Sequence, residues 1–261
     1  MQYDSHLYQI LAPNPALVAS QLDAEAFAKH YTSGSLRYYA GKVVFAEIDI
    51  AYRHPYFKID EALAELKPHE DGRPKATKFI STYRVLEHID LNAIQRVILG
   101  TPEGYVLELE AAPYDKTHES GFLRIYAEIA PLRMLIMSRL DFPAFGKYVT
   151  DPDFPKGAPK QLYTQIELDI EHFLQEFENR PTMHPPIPGL HPSNLRAAIM
   201  ELREHPEKDT KGLRLDSGFD SIPYKLIRHG FMFASQDTTR FFPMPTMAEI
   251  EASNYHFWRA M

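Results

Sequence analysis

The segment Lys42 to Tyr52 reads KVVFAEIDIAY, and its alternation leaves the chain few options. A period of two makes it a strand. Val44, Ala46, Ile48, Ile50 and Tyr52 then lie on one side, and Val43, Phe45, Glu47, Asp49 and Ala51 on the other. The first side is plain core. The second mixes two acids with apolar and aromatic groups, which suits neither a dry interior nor an ordinary wet surface. A sheet carrying such a strand needs one covered face and one partly sheltered face.

Further strands follow from the same pattern. Ser35 to Tyr39 is placed to pair with Lys42 to Tyr52 across Ala40-Gly41, and Phe79 to Val85 is strand-like. Arg96 to Leu99 and Tyr105 to Ala111 form a hairpin across Gly100-Thr101-Pro102-Glu103-Gly104, and Phe122 to Ile129 alternates again. Helices are expected over Asn14 to Tyr31, Glu61 to Leu66, Leu132 to Leu140, Gln161 to Asn179, Leu195 to Glu204 and Ser221 to His229. A last helix opens at Thr246 with a capping-box pattern. The longest, Gln161 to Asn179, shows an apolar stripe through Leu162, Ile166, Ile170, Phe173 and Phe177. No internal repeat or low-complexity tract stands out.

These elements predict an α+β fold. It has an antiparallel or mixed sheet of about five to seven strands, helices packed on one side, and a helical C-terminal half. The 261 residues suit a single domain over 1–261. A Pro- and Gly-rich connection, DFPAFGKYVTDPDFPKGAPK, allows a subdivision into a sheet-containing 1–142 and a mainly helical 160–261.

Composition narrows the chemistry. A net charge of -7 without a clustered basic face argues against nucleic-acid binding. The absence of cysteine excludes disulfides, thiolate metal sites and cysteine nucleophiles. No segment approaches the roughly 18 consecutive apolar residues of a membrane span. The first residues lack a secretory pattern, so a cytoplasmic, non-membrane protein is expected. Gly-x-Gly-x-x-Gly, the P-loop, Gly-x-Ser-x-Gly and His-Glu-x-x-His are all missing.

What remains is a carboxylate-rich sheet face. Glu47 and Asp49 share one side of their strand, Glu108 and Glu110 share a side of theirs, and Arg124, Tyr126 and Glu128 share a third. If the three strands are neighbours, Glu47, Asp49, Glu108, Glu110 and Glu128 are candidate ligands for a divalent cation such as Mg2+, the cofactor otherwise being unknown. Glu47, Asp49 and His54 are then the candidate catalytic groups. Arg124, Tyr126 and Phe45 are the candidate substrate contacts. The reading is an enzyme or small-ligand-binding protein acting on a phosphate- or sugar-containing molecule, with self-association left open. The alternative is a non-catalytic interaction module using its Pro-rich connections and the aromatic segments Phe231 to Phe233 and Phe241-Phe242 as an exposed surface. Asp169, His172 and Glu176 also converge on one helix flank, where a solvated ion pair is the simpler outcome.

Overall fold

The computed structural model describes residues 4–12, 15–32, 43–67, 70–71, 73, 78–81, 85–100, 106–114, 123–151, 159–187, 189–204, 212–217, 219, 222 and 226–245. The chain divides into two compact units. One is Met1–Ala112 with Pro245–Met261, and the other is Pro113–Met244.

In the first unit the elements run β1 (His6–Ala12), β2 (Ala16–Ser20), α1 (Ala24–Thr32), β3 (Val43–Ile48), α2 (Ile59–Glu65), β4 (Lys78–Ser81), β5 (Ile94–Gly100) and β6 (Val106–Glu110). In the second they run β7 (Arg124–Ala130), β8 (Met134–Ser138), α3 (Phe142–Val149), β9 (Lys160–Ile166), α4 (Ile170–Asn179), α5 (Pro192–Glu204), β10 (Gly212–Ser217), β11 (Ile227–Ser235) and β12 (Thr239–Pro243). Each unit holds a 6-stranded antiparallel sheet, ordered β4-β2-β1-β3-β5-β6 in one and β10-β8-β7-β9-β11-β12 in the other.

Those two orders are the same order. The first strand of each unit is central, the second and third flank it, the fourth takes one edge, and the last two take the other. Registers repeat as well. Tyr8 faces Val18 and Glu47, while Tyr126 faces Ile136 and Gln165. Even the irregularities coincide: the pairing of β1 with β3 slips between Ile10 and Ala12, and that of β7 with β9 slips between Glu128 and Ala130. β4 and β10 each skip one residue at the matching place against β2 and β8. Bulges are conserved design features rather than noise, so their coincidence marks an internal duplication.

The sequence agrees once the registers are known. At one constant interval along the chain, Tyr8, Ala12, Leu17, Ser20, Leu22, Asp23, Ala26, Phe27, Lys29 and Thr32 recur as Tyr126, Ala130, Leu135, Ser138, Leu140, Asp141, Ala144, Phe145, Lys147 and Thr150. Most of these residues build one corner. Asp23 and Asp141 cap their helices, accepting from the backbone N–H of Ala26 at 2.8 Å and of Ala144 at 2.7 Å. Ser20 and Ser138 accept from the N–H of Leu22 and Leu140 at 3.0 and 3.1 Å. The Tyr8 and Tyr126 hydroxyls donate to the carbonyls of those same leucines. A buried hydroxyl costs free energy without a partner, and the turn carbonyl supplies one in both units.

Behind the corner, α1 packs Phe27 on Tyr8 with ring centroids 4.1 Å apart, and α3 packs Phe145 on Tyr126 at 3.8 Å. Phe45 and Tyr163 meet those tyrosines edge-on at 84° and 82°. Each buried ring contributes about 1.5–3 kcal/mol, so this aromatic cluster is the main anchor of helix to sheet. Gly100 of β5 lies against Ala28 of α1, whereas Gly146 of α3 lies against Tyr163 of β9 and Ala234 of β11. The glycine has changed sides between the two copies.

Several expectations are overturned. The C-terminal half is not helical: it contains the second sheet, and the last described helix ends at Glu204. The single sheet of five to seven strands is replaced by two sheets. Leu132 to Leu140 contains β8, and Gln161 to Asn179 is β9 followed by α4. The expected Asn14 to Tyr31 helix is β2 plus α1, and the residues before it form β1. β2 and β8 are buried along their whole length, and a strand covered on both faces loses the alternation that reveals it. An internal repeat exists where none was evident. The Ser35 to Tyr39 strand and the helix opening at Thr246 lie outside the described residues. Among the described residues no helix is long and apolar enough to cross a membrane.

Candidate functional site

The expected site residues fall into both units. Phe45, Glu47, Asp49, His54, Glu108 and Glu110 belong to the first, and Arg124, Tyr126 and Glu128 to the second. β3 and β6 share a sheet but are separated by β5, while β7 is central in the other sheet. The three strands therefore do not lie side by side. Among the described residues no group of three or more His, Asp or Glu side chains comes together to hold a metal ion.

A smaller constellation does form, and β5 is the reason. Arg96 lies opposite Glu47 across β3 and β5. Its guanidinium is ion-paired with both Glu47 and Glu108. On the other side of Glu47, the His6 imidazole Nδ1 lies 2.9 Å from the second carboxylate oxygen, and the His6 ring stacks on Tyr8 at 5.7 Å. Glu47 is buried, whereas His6, Arg96 and Glu108 are partly exposed. The result is a row, His6–Glu47–Arg96–Glu108, crossing β1, β3, β5 and β6 with one end reaching water.

Electrostatics separates the two carboxyls. Burial alone would raise Glu47, yet hydrogen bonds from His6 and Arg96 outweigh it and hold this carboxyl below its ordinary value. For Glu108 burial dominates, and despite the pull of Arg96 its pKa is raised. Burial, reinforced by Glu47, also pushes the Tyr8 hydroxyl far above its usual range.

The remaining candidates have other work. Asp49 sits just past the end of β3, and its carboxylate accepts from the N–H of Ala51 at 2.8 Å, closing a turn. His54 stands apart in an exposed aromatic group, 5.1 Å from Phe57 and 5.4 Å from His88 between ring centroids. Phe45 is fully buried in the core with Tyr8 and Phe27. Glu110 is exposed. Arg124 and Tyr126 both reach the carbonyl of Leu140, as parts of the corner of the second unit. Glu128 is buried, with one oxygen accepting from the N–H of Leu132 at 3.0 Å and the other without a hydrogen-bond partner. Burial raises its pKa to about 7.

The aromatic segments are not a surface. Phe231, Met232, Phe233, Phe241 and Phe242 are all buried on β11 and β12. Asp169 caps α4, accepting from the N–H of His172 at 2.9 Å, and His172 approaches Glu176 at an exposed 3.8 Å. Sequence reasoning missed His6 and Arg96. Arg96 lies on a strand that the sequence does show, but only the strand order places it opposite Glu47.

The sister copy provides a comparison. In the second unit the positions of His6, Glu47, Arg96 and Glu108 are taken by Arg124, Gln165, Gly230 and Phe241. The frame is shared and the acidic row is not. Comparison with protein-family models, curated proteins and solved structures finds no match for this chain.

Proposed function

We propose that the row His6–Glu47–Arg96–Glu108 is the functional site of a small-ligand-binding protein, and that its ligand is rich in hydroxyl groups, as a sugar or polyol is. The observation that carries this reading is the duplication itself. The second unit reaches the same topology, registers and corner with a glutamine, a glycine and a phenylalanine where the first has Glu47, Arg96 and Glu108. The fold does not need these charges. Retaining half-buried carboxylates with perturbed affinities for protons costs stability unless they serve something else.

The chemistry supports hydroxyls over anions. Two carboxylates outnumber one guanidinium, so a phosphate at the row meets repulsion, while sugar hydroxyls can donate to carboxylate oxygens and accept from Arg96. One carboxyl held low and its neighbour raised is also the pattern used by acid–base pairs. No metal is required by this reading.

The test is a thermal-shift screen of the protein against monosaccharides, sugar phosphates and polyols. At least one hydroxyl-rich compound is expected to raise the Tm, with the shift lost in Glu108→Gln and kept in Gln165→Ala on the sister row. Stabilisation only by sugar phosphates, or equal shifts in wild type and Glu108→Gln, overturns the reading.

A further inference from the structure

The second unit contains a cleft of about 540 Å3, lined by Leu123, Arg139, Ile170, Glu171, Leu174, Arg196, Ile199, Met200 and Arg203. Its volume lies within the range of small-molecule pockets. Its walls are the facing sides of α4 and α5, and the sequence of α5 explains why they are open. Leu195, Ala198 and Leu202 recur at three and four residues and are buried, so they satisfy the core-facing stripe of that helix. Ile199 and Met200 form a second apolar patch beside it, and Met200 is 58% exposed. On α4, Phe173 is buried while Ile170 and Leu174 stay partly open toward the cleft. Two helices thus carry more apolar surface than their own packing uses, and Leu123, just before β7, completes the floor.

The rim is cationic. Arg139, Arg196 and Arg203 line the cleft against one acid, Glu171, in a chain whose net charge is -7. Arg196 is ion-paired with Glu178 of α4, which holds it across the helix pair. Arg196, Met200 and Arg203 are spaced so that the two guanidinium groups bracket the exposed methionine along one helix flank. An apolar floor under an arginine rim is complementary to a molecule with an acyl or aryl tail and a single anionic head.

We infer that this cleft binds an amphiphilic anion, its tail on Ile170, Leu174, Ile199 and Met200 and its head at Arg139 and Arg203. This site is independent of the row in the first unit, and neither reading stands on the other.

Isothermal titration of the full chain with decanoate, decyl phosphate, decanol and decyltrimethylammonium, each below its micelle concentration, tests it. Saturable one-site binding is expected for an anionic compound, at least tenfold tighter than for decanol, with none for the cation. A preference for decanoate or for decyl phosphate identifies the head as carboxylate or phosphoryl. Arg203→Gln lies at the exposed end of α5 and is expected to weaken binding tenfold. Glu171→Gln removes the opposing charge and is expected to tighten it several-fold, and Ile199→Trp fills the cleft and abolishes binding with the melting curve retained. Equal affinity for decanol and decanoate, no saturable binding of either anion, or an unchanged Kd in both Arg203→Gln and Glu171→Gln overturns the inference.

Discussion

Glu128 and Glu47 show how placement decides what a carboxylate does. Glu47 meets the Arg96 guanidinium and the His6 imidazole, while Glu128, at the bulge of β7, meets one backbone N–H. Its pKa of about 7 in the folded protein lies above the ordinary 4.5. The folded state therefore holds a proton that the unfolded chain has already released, and stability falls as pH rises from about 4.5 through about 7. The loss approaches roughly 3 kcal/mol on the upper side of that window. Glu128→Gln is expected to flatten this dependence, so that urea midpoints of the variant and wild type converge near pH 4 and separate at pH 8, the variant being the more stable. The exchanged glycines make a second residue-scale case. Gly100→Ala would place a methyl group 2.7 Å from the Ala28 side chain and should cost about 1–3 kcal/mol. Ala28→Gly added to it copies the arrangement of the sister unit and is expected to restore part of that loss, in a double-mutant cycle by denaturant melts.

At the scale of elements, α1 and α3 depend on the same aspartate cap and the same tyrosine clamp. Asp23→Ala and Asp141→Ala are each expected to cost about 1 kcal/mol by urea titration. Tyr8→Phe and Tyr126→Phe remove the hydroxyl that donates to the Leu22 or Leu140 carbonyl, the latter keeping its longer contact with Arg124, at a further roughly 1 kcal/mol each. These elements also mark the limits of what the sequence discloses. Strands with one mixed face, such as β3, β6 and β7, are legible because charged and apolar residues alternate along them, and β5 is legible from the Gly- and Pro-containing turn that follows it. β2 and β8 are apolar on both sides and read as helix, while β9 carries Gln161, Thr164 and Gln165 and reads as helix because Leu162 and Ile166 continue into α4 as one long stripe. Asp90, Asp141 and Asp169 cap structures as their residue type suggests. Of the candidate site, Glu47 and Glu108 were visible from alternation. His6 and Arg96 were not, because partnership across a sheet depends on strand order, which local periodicity does not encode.

For the whole molecule, the duplication separates what the fold requires from what it carries. Removing Arg96 alone leaves Glu47 buried with its main partner gone, so Arg96→Met is expected to cost about 2 kcal/mol, below the range for fully buried pairs because the arginine is partly solvated. The triple variant Glu47→Gln, Arg96→Met, Glu108→Gln imitates the second unit in lacking charge at these three positions and is expected to melt within a few degrees of wild type. A triple variant that fails to fold would show the row to be structural after all. The repeat itself escaped detection because identity concentrates in one hairpin and one helix, while the later strands keep register and little else. Backbone geometry outlasts side-chain identity here, as expected where many apolar combinations satisfy the same core volume.

Gly230 gives that asymmetry a direction. It occupies the position of Arg96 at a φ of +135°, and a Cβ there would lie 2.1 Å from the carbonyl oxygen of Phe242. No single substitution can hand the second copy the cation that organises the first, since any side chain at that point collides with main chain before its chemistry matters. The two halves are thus held to separate careers by one missing methyl group, and a return to equivalence would require β11 and β12 to be rebuilt together.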